Sequence, residues 1–212
     1  RKNPPFFVDK IIQIVYNKKM SKLSFILGNG KTRKDFSLHE LKSKGKLYGC
    51  NRIYEEIVPD VLVSTDKNMA EEIQKSGYSK NNNHYTREKH IIISSGAKAL
   101  DPMYQAFSSG PNALAISAKE TNNSCFMIGF DLISDSYTIN NLYAGTSNYL
   151  EKTAKATEFV NWVDQVYKIV ETYDKQKFFH VNPLNNYTPD SWLELPNLEI
   201  MSKDNFKTLI NM

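Results

Sequence analysis

Residues 23–66 read LSFILGNGKTRKDFSLHELKSKGKLYGCNRIYEEIVPDVLVSTD, and three short apolar runs inside them set the fold class. Leu23–Leu27 stops at Gly28-Asn29-Gly30, Lys46–Gly49 at Cys50-Asn51-Arg52, and Val61–Ser64 at Thr65-Asp66. Runs of this length, rich in β-favouring residues and cut off by turn residues, predict buried parallel strands. Ligands of open parallel sheets collect at the carboxyl ends of the strands, so the three stops are expected to line one crevice.

Working outward, Ser37 with Glu40 predicts a capped helix that Gly45 ends. Arg52–Ile57 reads as a brief helix or turn, and Asn68–Ser76 as a helix stopped by Gly77. The polar, asparagine-rich segment Ser79–Lys89 predicts a mobile loop, followed by a strand over His90–Ser94. Ser95–Phe107 has no clear period. A small-residue turn, Ser108-Ser109-Gly110-Pro111, opens a helix through Glu120, and Ser124–Ile128 is a strand ending at Gly129-Phe130-Asp131. Leu132–Tyr149 carries no helical or strand period, and loops of that length are usually functional or disordered. The apolar stripe from Ala156 to Val170 predicts a long helix over Thr153–Tyr173. Phe178–Val181, closed by Pro183, and Leu198–Met201 are strands, and Ser202 caps a last helix over Asp204–Ile210. The alternation predicts an α/β, Rossmann-like, mostly parallel sheet with helices on both faces.

Composition narrows the function classes. The 212 residues, 41% hydrophobic and 12% aromatic, suit one domain with a real core. The expected organisation is an N-terminal extension over residues 1–19 and one Rossmann-like domain over residues 20–212, with Met20 as an alternative start. Phe7, Ile11, Ile12 and Val15 give the extension an amphipathic helical spacing, and Asp9, Lys10 and Gln13 break any signal-peptide core. A net charge of +4, from 27 basic and 23 acidic residues interspersed along the chain, accommodates a small anionic ligand but makes no nucleic-acid footprint. No apolar run reaches membrane-spanning length. Cys50 and Cys125 read as buried thiols of a reducing, cytoplasmic compartment, and the four histidines form no metal-ligand spacing.

Each motif carries two readings. Gly28-Asn29-Gly30 is either a connecting turn or one that brings backbone amides to a ligand; it matches neither the GxGxxG dinucleotide fingerprint nor a P-loop. Asn51 either pairs with a sugar hydroxyl or base edge, or closes an Asx turn. Asp66 is a ribose-hydroxyl acceptor or a helix cap, and Ser109-Gly110 a phosphate site at a helix start or an ordinary N-terminus. Tyr143 either donates a hydrogen bond to a leaving phosphate or anchors its loop.

In order and spacing, these blocks resemble the Rossmann-like sialyltransferases of bacterial lipooligosaccharide synthesis (glycosyltransferase family 42) and related viral sialyltransferase-like proteins. The family has a strand ending GNGPSL, a strand ending CNxFY, a TSG turn at a helix start, a strand ending SGIDF and an SYA tripeptide. The matching pieces are Gly28-Asn29-Gly30-Lys31-Thr32, Cys50-Asn51-Arg52-Ile53-Tyr54, Ser108-Ser109-Gly110, Ile128-Gly129-Phe130-Asp131-Leu132 and Leu142-Tyr143-Ala144, over roughly residues 23–162. The resemblance implies a metal-independent, inverting transfer from a CMP-sugar donor to a glycan or small-molecule acceptor. In it Asn29, Asn51, Ser109 and Gly110 hold the nucleotide or the sugar carboxylate, and Tyr143 the leaving phosphate. The family's general-base histidine falls near Asn148, which accepts no proton at neutral pH, so the base is either missing or comes from elsewhere, with His180 and His84 as the candidates. Lys31-Thr32 stand in place of the family's Pro-Ser, and Lys31 with Arg33 and Lys34 points to a more anionic ligand or a different nucleotide.

Pro59-Asp60 and Ser64-Thr65-Asp66 also resemble the motility-associated glycosylation factors and the pterin pyrophosphokinase-like group. That kinship implies diphosphate transfer, with Asp66 and Asp131 as Mg²⁺ ligands. A non-catalytic nucleotide- or sugar-binding protein, or a virion component on the same fold, is the rival from another class. Lys/Asn-rich usage suits a phage source, and self-association is compatible with all of these readings.

Overall fold

The computed structural model describes residues 22–120, 123–134, 137–182 and 187–212; the expected N-terminal extension and Pro183 lie outside them. Eight strands form one sheet: β1 (Lys22–Leu27), β2 (Lys46–Cys50), β3 (Val61–Ser64), β4 (His84–Thr86), β5 (Lys98–Ala99), β6 (Asn123–Ile128), β7 (Lys177–Val181) and β8 (Leu198–Met201). Their order is β5-β4-β3-β2-β1-β6-β7-β8, and every pairing is parallel. The expected Rossmann-like α/β architecture is therefore present, with a fully parallel rather than mostly parallel sheet.

Strand alternation sorts the core into two layers. Ile26, Tyr48, Val63, Cys125, Met127 and Phe178 face one side. There they meet Leu114 of α4 (Ser109–Ala118), Val166 and Ile169 of α5 (Val160–Thr172) and Trp192 of α6 (Asp190–Leu193). Phe25, Leu27, Leu47, Leu62, Phe126 and Phe179 face the other. That layer is closed by Leu41 of α1 (Leu38–Lys44), Met69 and Ile73 of α2 (Lys67–Lys75) and Phe206 of α7 (Lys203–Leu209). Phe126 and Phe179 stack at 4.7 Å, and Phe206 meets Phe25 edge-on at 5.9 Å, so aromatic packing pins α7 across the sheet.

Local signals work as read at several helix ends. Ser37 accepts from the Glu40 amide at 3.3 Å and Ser202 from the Asn205 amide at 3.2 Å. Gly77, at φ +82°, follows α2 and precedes the one-turn helix α3 (Tyr78–Asn81).

Three expectations are corrected. The segment Ser79–Lys89 is no loose loop: it holds part of α3, all of β4 and the start of a 3₁₀ turn over Glu88–His90. His84 makes it a strand, because the imidazole is fully buried with Nε2 on Ser64 Oγ and Nδ1 on Ser79 Oγ, both at 2.7 Å. The apolar run His90–Ser94 is not a strand; Gln74 ties it down by bonding the His90 carbonyl and the Ile92 amide, and Ile93 is left 90% exposed. Finally, the long helix starts at Val160 rather than Thr153, because residues 154–156 pair instead with 137–139. The Ile139 amide donates to Ala154, the Ala156 amide to Tyr137, and Thr138 bridges Lys155.

Candidate functional site

From β1 the chain steps outward through β2, β3, β4 and β5, then crosses back through α4 to place β6 on the other side of β1. Strand order thus reverses between β1 and β6. A crevice of about 400 Å³ opens at this switch point. Gly28, Asn29, Gly30, Asn51, Asp66, Ser109, Gly110, Asp131 and Asn148 all line it; Tyr143, His180 and His84 do not.

The two glycine turns meet at the floor. The Gly28 amide donates to the Ile128 carbonyl at 2.8 Å, and the Gly30 amide to the Gly129 carbonyl at 2.9 Å. A Cβ on Gly28 would lie 2.3 Å from the Gly129 carbonyl oxygen, and one on Gly30 would lie 2.4 Å from the Asp131 carboxyl carbon. These glycines therefore let two loops touch, and their amides are already committed. The following amides are taken as well: Lys31 donates to Asn140 Oδ1 at 2.9 Å and Thr32 to Asp131 Oδ2 at 3.0 Å. Asp131 Oδ1 accepts from the Thr32 hydroxyl. Both Asp131 oxygens thus hold the turn after β1.

Asn29 behaves differently. Its Nδ2 donates to the Tyr149 hydroxyl at 3.3 Å, while its Oδ1, shielded from solvent, meets no partner. It offers the crevice an acceptor.

Two strand ends, those of β2 and β3, are tied to α4 through one hydroxyl. Ser109 Oγ accepts from the Thr65 amide at 3.0 Å and donates to Asn51 Oδ1 at 3.0 Å, with Thr65 Oγ1 also at 3.0 Å. Asn51 holds this position at φ +54°, a left-handed conformation that asparagine tolerates. While its side chain ties β2 to α4, Ser109 does not cap its own helix. Nor does Ser108, whose side chain makes no capping bond, and the first turn of α4 contains no acidic residue. Among the described residues the Ser109 and Gly110 amides meet no protein acceptor, so the positive end of a ten-residue helix faces the crevice uncompensated.

Asp66 precedes α2 yet makes no side-chain cap, leaving its exposed carboxylate on the crevice wall. Cys50 also lines the wall, but burial pushes its thiol up to about 12, with Arg33 opposing, so it is no nucleophile at neutral pH.

The loop after β6 roofs the crevice and is pinned along one edge by two buried arginines. Arg33 Nη2 reaches Tyr143 Oη and Glu56 Oε1, each at 2.9 Å, and the Tyr143 hydroxyl itself donates to Glu56. Burial pushes the Tyr143 phenol up; Arg33 opposes this and Glu56 reinforces it. Tyr143 is therefore an anchor below the roof, and Arg33 faces its own partners rather than a ligand. Arg52 binds Glu72 Oε1 at 2.7 Å, Glu55, and Ser147 through both its hydroxyl and carbonyl. Asn148, at φ +64°, donates to Glu72 Oε2 at 2.6 Å.

Neither candidate histidine reaches the crevice. His180 lies under it on β7, edge-on to Trp192 at 5.2 Å, with Nε2 3.3 Å from the Phe130 carbonyl. Burial pulls its imidazole down to about 4, against that carbonyl's opposing effect, and burial does the same to His84.

Sequence reasoning passed over Arg87. It follows β4, lines the crevice and has no ion-pair partner among the described residues. In TREKH it looks like a solvated surface residue; only the burial of His84 and Thr86 shows that a strand delivers it to the ligand side. Among the described residues, no helix is long and apolar enough to cross a membrane. No protein-family model, no curated protein and no solved structure matches the chain.

Proposed function

We propose that this crevice binds a nucleotide sugar of the CMP-sialic acid type, and that the chain is a glycosyltransferase-like, cytoplasmic protein acting without a metal. One observation carries this reading: the open, uncapped N-terminus of α4 at the point where strand order reverses. Two free amides and a helix dipole there suit a phosphate. The resemblance of the strand-end blocks to the sialyltransferases supports the same choice of ligand, since these blocks converge on a single crevice. Charge developing on a departing phosphate would be met by the Ser109 and Gly110 amides without reorganisation. With both histidines buried elsewhere and the Asn148 amide held by Glu72, the proton of an acceptor hydroxyl falls to Asp66.

The same facts favour one alternative, a binding protein that has lost transfer, because Tyr143 is committed to Arg33 and Glu56. A thermal-shift panel of CMP, UMP, GDP, ADP and their sugars separates these readings. Ligand at 100 times its Kd is expected to stabilise the wild-type protein by about 2.7 kcal/mol. CMP and CMP-sialic acid are the expected hits, reduced in Asn51→Ala, which loses the tie between β2 and α4. Release of free sialic acid or its transfer supports the enzyme; binding without turnover supports the binding protein. No shift across the panel contradicts both.

A further inference from the structure

The structure assigns Arg87 to a second anionic group of the ligand, beside the phosphate held by α4; the inference rests on the nucleotide reading above. Its Nε is shielded from solvent and meets no acceptor, and no acidic side chain pairs with it among the described residues. Arg33 and Arg52 also carry an unpartnered Nε, but both are buried and ion-paired to glutamates, whereas Arg87 is partly exposed on the crevice and has no such pair among the described residues. The rest of Arg87 is partly exposed at the crevice wall, where its guanidinium is placed to meet a bound anion.

Register gives its position. Ser64 pairs with Thr86, so Arg87 stands beside Thr65, one strand spacing (about 4.8 Å) away. Thr65 is the residue that holds Ser109. Tyr85 packs into the core layer on the α4 side, and Arg87, two residues on, continues that alternation toward α4. Gly110, by contrast, leans toward the β6 turn, where an added Cβ would lie 3.3 Å from Phe130. Arg87 and the Ser109 and Gly110 amides thus line the same crevice of about 400 Å³.

The chemistry favours a flat or forked pair of oxygens, which the Nε and Nη donors grip side by side. A carboxylate on the transferred sugar and a second phosphate both satisfy this. They separate by experiment.

Calorimetric titration of the full chain with CMP, CDP, CMP-sialic acid and inorganic pyrophosphate, repeated on Arg87→Ala and Arg87→Lys, tests the assignment. CDP or CMP-sialic acid is expected to bind about tenfold tighter than CMP to wild type, identifying phosphate or carboxylate as the second group. Arg87→Ala should erase that gain while leaving CMP within about twofold, and Arg87→Lys should restore less than half of it. Equal losses for CMP and the doubly anionic ligands, or no loss in either variant, overturn the assignment. Arg87-dependent binding of pyrophosphate with no response to any nucleotide keeps the anion site and overturns the nucleotide reading. Silence with all four probes overturns both. Melting temperatures of the variants within about 2 °C of wild type confirm that the fold is intact, as expected for a side chain with no ion-pair partner among the described residues.

Discussion

Acidification from pH 7 to pH 4 is expected to remove on the order of 3 kcal/mol of stability for each of two histidines, His84 and His180. Each has a folded-state pKa of about 4, against 6.5 for the unperturbed imidazole. Between those values the unfolded chain binds protons that the folded chain refuses. Stability from these groups is therefore complete above pH 6.5 and declines as pH falls toward 4. His84 sits between two serine hydroxyls with no exposed surface, and His180 is walled in by Trp192 and the β6 turn, so neither can charge without opening the sheet. His90, partly exposed and pulled down by burial and by Arg87 and Lys89, adds in the same direction. Asp101 beside Lys119 and Glu71 beside Lys75 are held below their ordinary range, and their contributions are lost only at more acid pH. Because whole domains are stable by about 5–15 kcal/mol, two such groups bring this one near unfolding by pH 4. Urea unfolding from pH 7 to pH 4 reads the effect as a falling free energy. A flat profile from pH 7 to pH 5 would contradict the burial described for both rings.

Replacing Gly28 by alanine is expected to cost about 3 kcal/mol, at the upper end of overpacking. The obstacle is backbone: the added Cβ would sit 2.3 Å from the Gly129 carbonyl oxygen, which also accepts from Gly30. Relief requires parting the loops after β1 and β6, which widens the crevice floor and breaks the contact that sets the switch point. Gly77→Ala is the control. Its Cβ meets nothing within 4 Å, so only the left-handed backbone, at φ +82°, opposes it, for about 1–2 kcal/mol. Chemical denaturation of both variants distinguishes the two mechanisms. Equal costs would mean that the touching loops have more freedom than the geometry allows.

What the sequence made legible was local. Strand ends announced themselves because Gly-Asn-Gly, Cys-Asn and Thr-Asp interrupt apolar runs, and the Ser-Ser-Gly-Pro start of α4 is visible in the same way. What it hid was set by distant partners. His84 looked like part of a polar loop because the hydroxyl that makes its burial tolerable, Ser64, comes from another strand. Arg33 looked like one of a ligand-facing basic cluster, and Tyr143 like a phosphate donor; they find each other across 110 residues of sequence. Gly28 and Gly30 read as ligand-facing turns, whereas their missing side chains admit the Gly129–Asp131 turn. Strand order, and with it the position of the crevice between β1 and β6, depends on pairing that no local pattern encodes.

In the proposed complex a nucleotide phosphate sits on the Ser109 and Gly110 amides, and amide ¹H–¹⁵N spectra of the protein titrated with CMP, and separately with cytidine, test this. The Ser109 and Gly110 resonances are expected to move downfield with CMP and to stay nearly still with cytidine, which has no phosphate. Shifts confined to other residues, equal responses to both compounds, or no response to CMP would contradict it.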